Sequence, residues 1–356
     1  MVAVAPPEHR IAGDRDHLGR AACLGLLLLL VFFALLSLGQ GPSGVSAPQV
    51  LADWLAGREV ATVDQVVMLN IRLPRLLTGM LVGASLAVSG AVMQGLFRNP
   101  LADPGLLGVS SGASLGAIAS IVLGGLLPPA IAGIFGWYLV PVAAFAGSWI
   151  AMVVLYGIAT RHGRTSVATM LLAGIALAAM IAAVAGLIIY YANDAQLRDL
   201  TFWGLGSLAG SSWTKLSAAA PIILLSLAAM PMLARGLNGL ALGEATAAHV
   251  GIRVQRTKAI AILATAGATG ASVAVSGGIG FVGIVVPHLL RLVIGPDHRW
   301  LLINSALLGA TVLIAADIIS RLVVAPAELP IGIITAMFGG PFFMWVLLSN
   351  RRVLDA

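Results

Sequence analysis

Apolar runs of about twenty residues recur along this chain, and that pattern leaves few folds open. The run from Ala21 to Leu38 carries no charge. Comparable stretches follow at about 76–97, 105–126, 135–160, 166–191, 213–234, 259–277, 280–296, 300–320 and 329–350. A helix needs roughly 20 apolar residues to cross a bilayer, so these are ten candidate spans. The expected fold is all-α and polytopic, with a single transmembrane domain over 21–350 between tails at 1–20 and 351–356. Only 10% of the 356 residues are charged, against about 25% in soluble domains, which excludes two or three soluble domains of the same total length.

The formal charge of +6 is read as topology rather than as nucleic-acid binding, because the basic residues sit in loops between apolar runs. A ten-span count puts fourteen of the twenty basic residues on one side, including Arg10, Arg98, Arg161, Arg164, Arg253, Arg256, Lys258, Arg351 and Arg352. Arg58, Arg72, Arg75, Arg198, Lys215 and Arg321 fall on the other. The positive-inside rule then places both termini in the cytoplasm. Nine spans would scramble the split, so the asymmetry also favours a break at Gly277, Gly278 and Gly280, inside a run uncharged from Ala259 to His288. A cleaved leader is disfavoured: the first residues include acids, and the small-residue site Val45-Ser46-Ala47 precedes a proline. With Cys23 as the lone cysteine, neither an internal disulfide nor a metal cluster is expected.

Gly83-Ala84-Ser85-Leu86-Ala87-Val88-Ser89-Gly90 returns as Gly270-Ala271-Ser272-Val273-Ala274-Val275-Ser276-Gly277. The copies fall in spans 2 and 7, an odd number of crossings apart, which predicts an inverted repeat of spans 2–5 and 7–10. Their glycines and alanines also permit close helix packing. Asp317 is the only acid well inside a span, and Arg321 lies one turn away, so a structural ion pair is expected rather than a proton relay. His288 reads as a packed histidine. No G-x-x-x-x-G-K-[ST], H-E-x-x-H or G-x-S-x-G pattern occurs. No catalytic residue is therefore assigned, and any energy consumed must come from another subunit.

The segment at about 235–258 joins spans 6 and 7. It contains a short helix-forming stretch, Leu240 to His249, with Gly251 as its stop. This stretch resembles the coupling segment by which importer permeases dock on their ATPases. Further motifs sharpen the likeness: Arg72-Leu73-Pro74-Arg75, Ser89-Gly90-Ala91-Val92-Met93-Gln94-Gly95, Asn99-Pro100-Leu101-Ala102-Asp103-Pro104-Gly105, Gly280-Phe281-Val282-Gly283, Val286-Pro287-His288 and Ala327-Glu328-Leu329-Pro330-Ile331-Gly332. Together they resemble the iron-siderophore, haem and vitamin B12 (FecCD-type) permease family of bacterial importers, over roughly residues 60–350.

The resemblance implies a homodimer in the bacterial inner membrane, bound to two ATPase subunits that use ATP and Mg and to one periplasmic binding protein, with no cofactor or metal in this chain. It assigns binding-protein docking to Arg72, Arg75 and Arg321, and ATPase coupling to Leu242, Gly243, Glu244, Ala245, Ala248 and Gly251. A cytoplasmic gate falls at Asn99, Leu101, Ser166 and Val167. The outer segment from Leu197 to Leu208 looks most like haem importers; a ferric siderophore or cobalamin is the alternative cargo. Tyr190 and Tyr191, at the outer end of span 5, read as interfacial anchors or, alternatively, as cargo contacts that stack on a porphyrin. A stand-alone proton-coupled transporter working through Asp317 is the rival reading.

Overall fold

A computed structural model describes residues 15–41, 44–58 and 60–349. Most of the expected N-terminal tail, the tail at 351–356, and Arg10, Arg351 and Arg352 lie outside the described residues. Helix α1 (Asp16–Gly39) is followed by the short α2 (Ala47–Leu55) and α3 (Thr62–Val66), a π-helical segment (Val67–Arg72) and α4 (Leu73–Phe97). A 3₁₀ turn (Pro104–Leu107) leads into α5 (Val109–Leu123), α6 (Pro129–Phe135) and α7 (Leu139–Ala159). The two-residue strands β1 (Thr160–Arg161) and β2 (Arg164–Thr165) pair antiparallel, with Thr160 opposite Thr165. Then come α8 (Val167–Tyr190), α9 (Asp194–Leu205), α10 (Trp213–Ala229), α11 (Ala234–Ala241), α12 (Glu244–His249), α13 (Val254–Ser276), α14 (Val282–Ile294), α15 (His298–Leu322) and α16 (Ile331–Ser349).

Eight helical stretches are long and apolar enough to cross a membrane, and α14 and α16 are shorter apolar helices. These correspond to the ten expected spans. The break after Ser276 is present: Gly277 (φ 70°) and Phe281 (φ 68°) bound a non-helical stretch before α14. At 13 residues, α14 is about 20 Å long at 1.5 Å per residue, short of the ~30 Å hydrocarbon core. Irregular backbone from Gly277 to Phe281 is tolerated because protein surrounds it: a Cβ on Gly277 would strike the carbonyl oxygen of Trp203, and one on Gly278 that of Gly204.

Span 2 differs from expectation at its start. It begins at Thr62 rather than near 76 and runs unbroken to Phe97, because buried polar contacts described below keep Arg72 and Arg75 inside the helix. Spans α4 and α13 are the most enclosed, and α1 and α8 are largely exposed. Small residues let the backbones meet. A Cβ at Gly83 would strike the carbonyl oxygen of Gly309 on α15, and one at Gly90 that of Gly283 on α14. The repeat is visible in the packing. Helix α4 lies against α14 and α15, and its counterpart α13 against α5 and α7, so each half lends its first helix to the other. At their crossing Ser272 Oγ donates to Ser85 Oγ at 2.9 Å, two residues that occupy the same position in the two copies.

Candidate functional site

Three arginines gather at one end of the bundle. Arg75 is 7% exposed, Arg72 5% and Arg321 4%, so the three residues expected to dock the binding protein are buried. Buried charge must be paired, and the pairs are internal. Arg75 Nε and Nη2 donate to Asp317 Oδ1 at 3.0 and 2.8 Å, and its Nη1 and Nη2 also reach the two Glu328 oxygens at 2.8 and 2.9 Å. Arg321 Nε lies 3.1 Å from Asp317 Oδ2, and its Nη2 and Nη1 donate to Ser37 Oγ and Gln40 O at 2.9 and 2.8 Å. Arg72 donates to the carbonyls of Leu38 and Val45. Asp317 thus sits between two guanidinium groups as an ion pair, as expected. Glu328 is the most accessible member, its side chain 28% exposed. It lies in the Ala327–Gly332 motif, whose sequence alone assigns it no role.

The opposite end carries the segment expected to couple to the ATPases. It divides into α11 and α12, with Gly243 at φ 105° between them, where the sequence pattern indicated one helix. Gly251, at φ 84°, closes α12 as expected: Ile252 N–H donates to Ala247 O and Gly251 N–H to Ala248 O, both at 3.0 Å, the Schellman arrangement. Ala247 is buried, whereas Leu242, Ala245, Ala248 and Gly251 are exposed. A groove of about 680 Å³ runs beside them, lined by Glu244, Arg164, Arg253 and Arg256 among others. Glu244 is not free. Its Oε1 lies 2.7 Å from the ammonium of Lys258, which is only 2% exposed. The sequence reading grouped Lys258 with loop charges, but α13 begins at Val254 and takes it into the core.

The residues expected to form a gate carry local backbone duties. Arg98 ends α4 in the left-handed region at φ 50°, and Asn99 Oδ1 then accepts from Leu101 N–H at 2.9 Å. Ser166 caps α8 by accepting from Thr169 N–H at 3.2 Å. Asn99 and Ser166 are exposed, and Leu101 and Val167 half-buried. In the loop between α4 and α5, burial pushes the Asp103 carboxyl up from the usual carboxylate range, against the opposing hydrogen bond from Gly105 N–H. Two further ties cross this end. Asn238 Oδ1 on α11 accepts from both His298 N–H and His298 Nδ1, which must therefore carry the proton. Arg291 Nη1 donates to Gln94 Oε1 at 2.6 Å, joining α14 to α4.

Tyr190 and Tyr191 project from the end of α8, strongly exposed and edge-to-face at 5.4 Å. His288 packs edge-on against Phe342 of α16, consistent with a packing role. Among the described residues no group of three or more His, Cys, Asp or Glu is placed to hold a metal ion.

Residues 27–349 match the model of the FecCD transport family. The chain belongs to that family. Among FecCD relatives, the hemin transport system permease protein HmuU of Yersinia pestis is 44% identical over 331 residues, 92% of this chain and 96% of that protein. The vitamin B12 import system permease protein BtuC of Escherichia coli is 42% identical over 346 residues, 95% and 98% of the two chains. A solved metal-chelate type ABC transporter in an inward-facing conformation superimposes with a TM-score of 0.81 at 32% identity, covering 93% of this chain and 99% of that one. This FecCD chain is a permease subunit of the ABC importer type and a multi-pass membrane protein.

Proposed function

We propose that the chain forms the membrane pathway of a bacterial inner-membrane importer for haem or a related iron chelate, as a homodimer with both termini in the cytoplasm. Two ATPase subunits bind at α12 and one periplasmic binding protein at the opposite end, and ATP binding and hydrolysis in the partners drive alternating access. The observation that carries this reading is the likeness to the hemin permease along nearly the full length of both chains. The ends of the bundle support it. One presents a short, exposed helix with glycine hinges, and the other concentrates arginine, whose forked donors suit carboxylates. The broad apolar face of α8, with Leu172, Ile175, Met180 and Leu187 exposed, suits burial against a second copy.

Docking on Arg75 proceeds by exchange: an acidic side chain of the binding protein takes the place of Glu328, while Asp317 keeps the inner half of the guanidinium. Asn99, Leu101, Ser166 and Val167 form the cytoplasmic gate, and Tyr190 and Tyr191 touch the cargo. Cobalamin is a second reading, carried by the 42% identity to the vitamin B12 permease. ATPase stimulation of the purified complex by its binding protein, loaded in turn with haem, ferric siderophore and cobalamin, tests the cargo. Haem should stimulate most; stimulation confined to cobalamin selects the second reading. Uptake that persists without an ATPase partner and collapses with the proton gradient would replace the whole scheme by a stand-alone transporter using Asp317.

A further inference from the structure

Lys258 holds together regions that the proposed mechanism treats separately. Its ammonium is 2.7 Å from Glu244 Oε1, at the first residue of α12, and donates to the backbone carbonyl of Thr165 at 2.7 Å. Gln255, three residues earlier and on the same face of α13, accepts from the N–H of that same Thr165 at 2.9 Å. The first turns of α13 therefore grip both backbone polar groups of one residue. Thr165 is itself buried, shares a hydroxyl contact with Thr160 at 3.0 Å that closes the β1–β2 hairpin, and immediately precedes Ser166, the cap of α8. A buried ammonium is costly unless fully partnered, and Met or Leu would fill the same volume without that cost. What those residues lack is the pair of contacts.

Helix α12 has six residues, lies between glycines at φ 105° and 84°, and buries only Ala247. Its Glu244–Lys258 pair is thus a short polar tether to the body of the subunit. We propose that Lys258 and Gln255 are positioning residues that carry displacement of α12 to the β1–β2 hairpin and the start of α8, setting the opening of the cytoplasmic gate. This rests on the reading of α12 as the ATPase contact and of Ser166 and Val167 as gate residues.

The test uses the complete importer reconstituted in liposomes, with Cys23→Ser and a reporter Ala168→Cys, an exposed site beside the gate. The rate of maleimide labelling at the reporter is measured with and without ATP, together with ATPase rate and uptake. In the parent, labelling should change several-fold with ATP. In Lys258→Met that change should fall below twofold and uptake per ATP hydrolysed should drop about tenfold, with ATPase rate held within about twofold. Lys258→Arg should restore most of both, and Gln255→Leu should be intermediate. If Lys258→Met does not assemble, Gln255→Leu carries the test, since it removes one acceptor and no charge. A parent-like labelling response in these variants, with ATPase and uptake falling in proportion, overturns the proposal and leaves the residues merely structural. A parent whose labelling ignores ATP overturns the gate assignment and the proposal with it.

Discussion

The two ends of the bundle solve opposite problems. At one end, three buried arginines share Asp317, Glu328 and carbonyls of the α1–α2 region in a network that reaches across α1, α4 and α15. At the other, α12 stands exposed and is tied down by one buried lysine and one buried alanine. The first arrangement resists movement, because displacing any member strands charge in a poorly solvating interior. The second permits movement while keeping a defined attachment. That asymmetry suits the proposed scheme, in which one end receives a partner and the other is pushed.

The sharpest way to break this contrast is to remove Asp317. Asp317→Ala leaves Arg75 and Arg321 short of their shared carboxylate and should cost about 3–5 kcal/mol, as for other broken buried pairs. The loss should appear as a lowered unfolding midpoint and poor assembly, and Asp317→Asn should lose less. Glu244→Ala leaves the buried Lys258 ammonium with the Thr165 carbonyl alone, so the unfolding midpoint should fall, but by less than for Asp317→Ala, which strands two guanidinium groups, while uptake should fall about tenfold. An equal loss of midpoint in both would abolish the distinction between the ends. Glu328→Gln removes the internal competitor for Arg75. Binding-protein affinity should tighten a few-fold at low salt and the gain should shrink as ionic strength rises; no change at low salt argues against exchange at Arg75.

The smallest expected effect belongs to Asp103. Its folded-state value is raised, so folding is favoured when the carboxyl is protonated in both states. That advantage is lost as pH rises from the ordinary carboxylate range through the raised value. Asp103→Asn, which keeps an acceptor for Gly105 N–H, should remove this slope from the stability-versus-pH curve.

Span count, the glycine break before α14 and the opposed repeat were legible because each is written in hydropathy or in local sequence identity. The ion pair at Asp317 was legible too, since Arg321 stands one turn away on the same helix. Contacts between residues distant in sequence were not: Arg75 meets Glu328 across 253 positions, and Lys258 meets Thr165 across 93. The start of span 2 was misplaced for the same reason. Arg72 and Arg75 look like boundary charges until their partners on α1 and α15 are known. Lys258 left a faint signal, as one of only two lysines in the chain, at the start of an apolar run.

The bond between Ser85 and Ser272 also bears on how the two copies of the repeat can shift. Both serines are fully buried, and they meet where α4 packs on α13. Any sliding of one helix along the other must first part these hydroxyls, with no water at hand to replace the lost partner.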